Sequence, residues 1–533
     1  MTSGLPASIP TIRPSPQVLK AQIVPAPNGG INVVDMLAAT PQFDSIFQYN
    51  LIPTQYGCRA RTGVTSWGTA IGTGGVNTIL PYNGSISSND KLFCAGKNGI
   101  FDITSSGANN PAALITFPTA DTNSGIGTST AVATLAGTYL LYTDESNGYY
   151  VYTEGSGWAK PTQGAGPTQI NNVDPATLVW VVSHKERVWL VQRNTATAWY
   201  LPTGAIFGAA TQFNFGNKFR RGGYLVGLYT WTLDGGTGID DYLVAISSSG
   251  DVLIYQGTDP SVATSWSLVG EWYIGPPPAG RRNVSSFGGD LYVLSSYGLL
   301  PLSKLIAGVL IQNQTEYVSR KISPLINSTM ATLRTTKGWE VRLVPSENLI
   351  LIAAPPFGNA PQQQFVQSLN TQGWAIYRDL AYNTGNSWNG AFYIGDTLGN
   401  VYLHTGNTDL GLAIKWSMLS SFQEYEEIGR YHRVHLIRPV FLSLVAPSFA
   451  VQVKYDYDLS EVLAPPSSSV ISGALWDVAK WDVGLWGGGS VPISVVRGGS
   501  GIGRAMAVGM NGSSTADTIL LRFDLMFDTG NFL

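Results

Sequence analysis

The chain predicts an all-β fold, a β-propeller-like array of repeated hairpins with an additional C-terminal β-sandwich or cap region. Three observations predict it. A hairpin-shaped unit recurs at intervals of about fifty residues, a period typical of propellers and related repeat architectures. The 533 residues include 61 Gly and 30 Pro, with 25 Tyr, 15 Trp and only 12% charged residues, a composition rich in turns and in large strand formers. Long amphipathic helical patterns are scarce.

Seven copies of the unit can be read: KLFCAGKNGIFDI from Lys91, TYLLYTDESNGYYVY from Thr138, ERVWLVQRNTATAWYL from Glu186, DYLVAISSSGDVLIYQG from Asp241, DLYVLSSYGLLPL from Asp290, NLILIAAPPFGNAPQQQFV from Asn348 and AFYIGDTLGNVYLHTG from Ala391. Each joins two apolar runs through a turn that usually carries Gly or Asn, residues that reach positive φ at little cost. One hairpin cannot bury both faces, whereas a radial stack can. Six to eight sheets over residues 65–408 are therefore expected.

Four regions follow along the chain. Residues 1–28 carry Pro6, Pro10, Pro14, Pro16, Pro25 and Pro27 and lack apolar periodicity, so they read as an extended arm that docks on a neighbouring subunit or another ring of the same assembly, or stays disordered. An opening segment, 29–64, suggests a short helix around 41–50 with Asp44 as an early-turn acid. The repeats occupy 65–408, interrupted at 204–238 and at 306–344, where the apolar spacing allows a helix. From 409 to 533 the repeat is lost; alternating runs such as YHRVHLIRPVFL and TILLRFDLMFDTG predict strands, and Trp476, Trp481 and Trp486 suit a loop that packs a hydrophobic gap.

A net charge of −3 does not suggest a basic nucleic-acid binder that neutralises phosphates in bulk. Cys58 and Cys94 are too few for a disulfide framework and are expected unpaired, in a chain assembled in a reducing cytosol. The N-terminus lacks the apolar core of a secretion signal, and no run reaches the ~18 apolar residues of a membrane span. A soluble protein that does not use the general export route is the expectation.

Chemistry-bearing patterns are sparse. His432 and His435 lie three apart on a predicted strand and so point to opposite faces, unsuited to one metal. His184 and His404 stand at strand ends, and all four read as surface or edge histidines. GTSTA from Gly127 and GGSGIG from Gly498 read as loops, without the strand and helix of a nucleophile elbow or a dinucleotide fingerprint. Asp240 and Asp241 are adjacent and would face opposite ways, as solvated turn residues rather than an acid and base pair. Lys218 with Arg220 and Arg221, and Arg281 with Arg282 after GPPPAG, read as loop charges that could alternatively hold a phosphate or an acidic surface. TLDGGTGIDD from Thr232 offers oxygen ligands for calcium, but its spacing matches no EF-hand. No catalytic, cofactor-binding or metal residue is assigned, and no cofactor is expected.

Taken in order, GGINVVDMLAATPQFDSIFQYNLIPTQYGCRARTG from Gly29, LVAISSSGDVLIYQGTDPSVATSWSLVGEWYIGPPPAGRR from Leu243, GGDLYVLSSYGLLPLSKLI from Gly288 and WDVAKWDVGLWGG from Trp476 resemble the tail nozzle or hub proteins of short-tailed bacteriophages. The resemblance spans most of 29–533. It implies a non-enzymatic virion protein of the tail, assembled in the host cytoplasm. Six copies would form a ring below the phage adaptor, close the DNA channel until ejection, and anchor fibres or spikes. The gate residues stay undefined. The alternative is a carbohydrate-binding or glycosidase-type propeller, although the turns at Ser247 and Thr397 lack the Asp and Trp of the sialidase repeat. A WD-type interaction propeller is a third class; the W-D pairs here fall outside the repeats.

Overall fold

The computed structural model describes residues 19–234, 239–307, 317–358, 362–425, 428–464 and 491–530. Each of the seven hairpins becomes the centre of one sheet, and the sheets close into a seven-bladed propeller. Blade 1 comprises Val76–Tyr82, Lys91–Gly96, Gly99–Asp102 and Ala113–Thr116, and blade 2 Gly127–Thr134, Gly137–Asp144, Gly148–Thr153 and Gly157–Ala159. Blade 3 comprises Leu178–His184, Arg187–Gln192, Thr197–Tyr200 and Thr211–Asn214, and blade 4 Leu225–Asp234, Ile239–Ser247, Asp251–Gly257 and Trp266–Tyr273. Blade 5 has three described strands, Val284–Phe287, Asp290–Ser295 and Gly298–Pro301. Blade 6 comprises Glu340–Val344, Leu349–Ala353, Gln363–Ser368 and Trp374–Arg378.

Blade 7 is composite. Thr384–Trp388, Ala391–Gly395 and Val401–His404 come from the end of the repeats, and the fourth strand, Val64–Thr69, comes from before blade 1. Pairing the two ends of the repeat region in one sheet closes the ring with hydrogen bonds, which leaves blade 7 no unpaired strand at that junction. The first strand of blade 7 also packs on the first strand of blade 1.

Between blades the packing is apolar. Tyr139, Leu141 and Val151 of blade 2 share a core with Leu178, Val181 and Leu190 of blade 3. Turns are tight where blades touch. Gly148 has φ 84°, and a Cβ there would lie 2.3 Å from the Pro175 carbonyl, so this turn excludes larger residues. In the 306–344 insertion the expected helix forms over Ser323–Leu333, and Ile326, Met330 and Leu333, spaced i, i+4, i+7, pack against Trp339, Ile350 and Ile352 of blade 6.

A β-sandwich stands beside the propeller. One of its sheets contains Lys20–Pro25, Leu51–Thr54, Gly57–Ala60, Thr518–Thr529, His432–Ser443 and Val491–Ser494. The other contains Asp44–Tyr49, Leu412–Ser420, Met506–Ser514 and Ser448–Tyr455. Val24, Leu51, Trp416, Ile437, Val508 and Phe523 are among the side chains that fill the space between them. The second sheet runs on into blade 6, because Asp44–Tyr49 and Gly30–Ile31 both pair with Trp374–Arg378.

Two expectations for the N-terminal region are corrected. Residues 20–28 are no free arm: Lys20–Pro25 pairs along Arg522–Phe527, and Val24 and Ala26 are buried in the sandwich core. Residues 1–18 lie outside the described residues. Around 41–50 the chain is strand rather than helix, since Asp44 is 2% exposed, 2.7 Å from Lys321 Nζ and bonded to Asn32 Nδ2. That long-range ion pair and the parallel sheet outweigh the local helical signal.

Candidate functional site: the propeller axis

The first strands of the seven blades surround a cavity of ≈ 370 Å³ on the propeller axis. Its wall mixes hydroxyls with apolar side chains, with Thr130, Ser183, Ser285 and Ser286 beside Val182, Leu228 and Val284, and Trp180 supplies an aromatic surface. The charged residues of the lining are Arg282 and Arg342. GTSTA, expected as a loop, is the first strand of blade 2 and part of this wall.

The loop GPPPAGRR between blades 4 and 5 directs both of its arginines across the ring. Arg281 Nε lies 2.9 Å from Glu145 Oε1, on the turn between the second and third strands of blade 2, and Arg281 Nη1 donates to the carbonyls of Leu225 and Val226. Lys337 Nζ, 2.9 Å from the other Glu145 oxygen, ties the start of blade 6 to the same carboxylate. Arg282 Nη1 donates to the Asn77 carbonyl of blade 1 and to Thr384 Oγ1 of blade 7, and lies 3.5 Å from Glu340 Oε1. Glu340, on blade 6, also pairs with Arg342 and accepts hydrogen bonds from Tyr382 Oη and the Gly385 amide. These arginines are therefore not loop charges. They are buried, at 6% and 8% exposure, and link blades on opposite sides of the axis.

Burial pushes the Glu340 carboxyl up, but the Arg342 and Arg282 guanidiniums outweigh it and hold the group below its usual range. One fully buried carboxylate thus answers two guanidiniums, leaving a positive excess at the cavity wall. Asp144 stands near the same end and is held by five donors: the amides of Gly125, Ser146 and Asn147, the Asn147 side chain and Tyr142 Oη. Burial raises its carboxyl nevertheless.

A second hollow of ≈ 370 Å³ adjoins the cavity and shares Ser129, Thr130 and Asn386 with it; Asn83 and Trp388–Gly390 form its rim. Arg282 crosses the ring at one end of the cavity, and the hollow is continuous with the cavity at Ser129, Thr130 and Asn386.

The other described residues singled out in the sequence do not line the axial cavity. His184, His404 and His432 are buried rather than superficial, because each side chain turns in against apolar neighbours. His184 Nδ1 is 3.3 Å from Thr230 Oγ1 while its Nε2 has no partner among the described residues, and burial lowers its pKa to about 4. His404 Nδ1 lies 2.9 Å from Glu347 Oε1. His435 points the other way from His432, toward Asp528 at 3.1 Å. Asp241 accepts from Thr232 and pairs with Lys185. Arg220 and Arg221 pair with Glu271 and Asp251, and Arg221 stacks on Tyr273. Cys58 and Cys94 are free and buried, which raises both thiols. Among the described residues no group of three His, Cys, Asp or Glu is placed to hold a metal, and no helix is long and apolar enough to cross a membrane. Trp476, Trp481 and Trp486 lie outside the described residues, as do residues 235–238 of the acidic Gly loop.

Sequence reasoning missed the axial role of Arg281, Arg282, Glu340 and Arg342. The one available signal was the doubled arginine directly after a Pro-rich turn.

No family model matches the chain, and no curated protein matches it. Among solved structures, it is similar to the extracellular domain of a protein described as a hybrid two-component system from B. thetaiotaomicron, at 10% identity and a TM-score of 0.39 over 82% of this chain; the match spans about half, 51%, of that protein. It is also similar to a quinoprotein alcohol dehydrogenase-like protein from Bacteroides thetaiotaomicron, at 11% identity and a TM-score of 0.29, covering 58% of this chain and 67% of the other. At such scores neither similarity bears on function, and the propeller assignment rests on the strand pairing described above.

Proposed function

We propose that this protein is a structural, non-catalytic component of a short phage tail, a nozzle or hub that assembles as a homo-hexameric ring below an adaptor. The observation that carries this reading is the continuous sheet running from blade 6 through Asp44–Tyr49 and Leu412–Ser420 into the sandwich. Two domains fused by backbone hydrogen bonds rather than a linker move as one body, which suits a part that must resist the pressure of packaged DNA. The axis geometry supports a DNA path between copies rather than through one propeller. A ≈ 370 Å³ cavity crossed at one end by Arg282 is far too small for a duplex whose major groove alone is about 12 Å wide. A ring of this kind needs two different patches per subunit meeting head to tail, and the remaining outer surfaces would carry fibres or spikes.

The glycosidase alternative asks for two carboxylates flanking a bond, whereas the charged lining of the axial cavity is two arginines. Mass measurement and negative-stain imaging of the full chain, alone and with the adaptor ring of its own virion, test the reading. A six-membered ring supports it. A monomer under both conditions, or robust polysaccharide hydrolysis, overturns it.

A further inference from the structure

The axial cavity has a chemistry of its own. Its ≈ 370 Å³ falls at the lower end of ordinary ligand pockets, about 300–1,000 Å³. The wall has hydroxyl residues from five blades, Thr130, Ser183, Ser285 and Ser286 included, and the two guanidiniums. Glu340, which neutralises one of those charges, has no exposed surface and is already engaged by Tyr382 and the Gly385 amide, so it cannot turn into the cavity to neutralise the second. Arg342 Nε is buried without an acceptor among the described residues, an unfavourable arrangement unless something fills the place. Asp144, the other nearby carboxylate, is committed to its five donors. The adjoining hollow, rimmed by Asn83 and Trp388–Gly390, shares Ser129, Thr130 and Asn386 with the cavity.

We propose that the propeller axis is a binding site for one small oxyanion, a phosphoryl or carboxylate group, held by Arg282 and Arg342. The planar guanidinium fork matches both oxyanions, and the surrounding hydroxyls can donate to the remaining oxygens. The bound anion supplies the charge that Glu340 leaves unmatched, so occupancy also tightens the joint between blades 5, 6 and 7.

Titration calorimetry of the full chain at low ionic strength, with inorganic phosphate and glucuronate as separate probes, tests the site. One saturable site per chain is expected for at least one probe, with affinity falling as salt rises. Arg342→Gln should weaken it at least tenfold. Ser129→Leu puts an apolar side chain on the wall common to the hollow and the cavity while leaving every ionised group in place, and should abolish binding in a protein whose circular dichroism is unchanged. That variant decides the matter even where Arg342→Gln fails to fold. Binding of phosphate alone assigns a phosphoryl ligand; binding of glucuronate alone assigns a carboxylate. The proposal is overturned by no saturable binding of either probe to the wild type, or by binding that persists in folded Ser129→Leu.

Discussion

Glu340 has no exposed surface and two guanidinium partners, so its removal strands two positive charges in the centre of the ring. Breaking a buried pair from one side typically costs about 3–5 kcal/mol, and Glu340→Ala is expected to lose that much in urea unfolding. A loss below about 1 kcal/mol would mean that solvent reaches the arginines freely. His184 gives the pH counterpart. Its pKa is lowered from 6.5 to about 4, so between those values the unfolded chain binds the proton that the folded chain refuses. Stability is therefore full above pH 6.5 and falls as the pH drops toward 4, by on the order of 3 kcal/mol at the low end. Glu340 acts in the same direction at lower pH: its contribution is intact above the ordinary carboxylate range near 4.3 and disappears as the pH falls through its lowered value. Replacing His184 with Gln should flatten the unfolding profile between pH 6.5 and 4; an unchanged slope assigns that loss to other groups.

At the scale of elements, the central hairpins were legible because their two strands are buried on both faces, giving runs such as YLLYT and YYVYT. The first strands were not. Gly127–Thr134 faces the axial cavity with Ser and Thr and alternates between half-buried and exposed positions, so it lacks an apolar run. Lys20–Pro25 was hidden for a related reason, as an edge strand with only Val24 fully inside. Its role makes a clear expectation: deleting residues 1–28 removes that strand and the buried Val24 and Ala26, and should lower unfolding stability by about 3 kcal/mol or more. Denaturant unfolding of the truncated chain measures it, and an unchanged midpoint would restore the reading of a dispensable arm.

For the whole molecule, the joint between propeller and sandwich converges on Asn50, which sits at φ 55°. Its Oδ1 accepts from the Arg378 amide and from Arg61 Nε, while its Nδ2 donates to the carbonyls of Arg378 and Lys415. Arg61 in turn makes a bidentate pair with Asp409. Asn50→Ala removes four hydrogen bonds that are wholly or partly buried and puts alanine in a left-handed conformation, so it should cost about 2–4 kcal/mol. Scanning calorimetry should then resolve separate sandwich and propeller transitions where the wild type shows one; a single transition in the variant would place the coupling in the continuous sheet alone.

The sequence by itself determined the all-β class, the seven hairpins, the unpaired cysteines and the helix at Ser323–Leu333, because each rests on periodicity or composition within one short segment. Tertiary structure decided the rest. Val64–Thr69 completes blade 7 across more than three hundred residues, and Asp44 finds Lys321 and Arg282 finds Glu340 only once the ring is closed. Local pattern cannot encode such partners, since a strand edge or a buried charge is satisfied by whichever group the closed ring brings within hydrogen-bond reach.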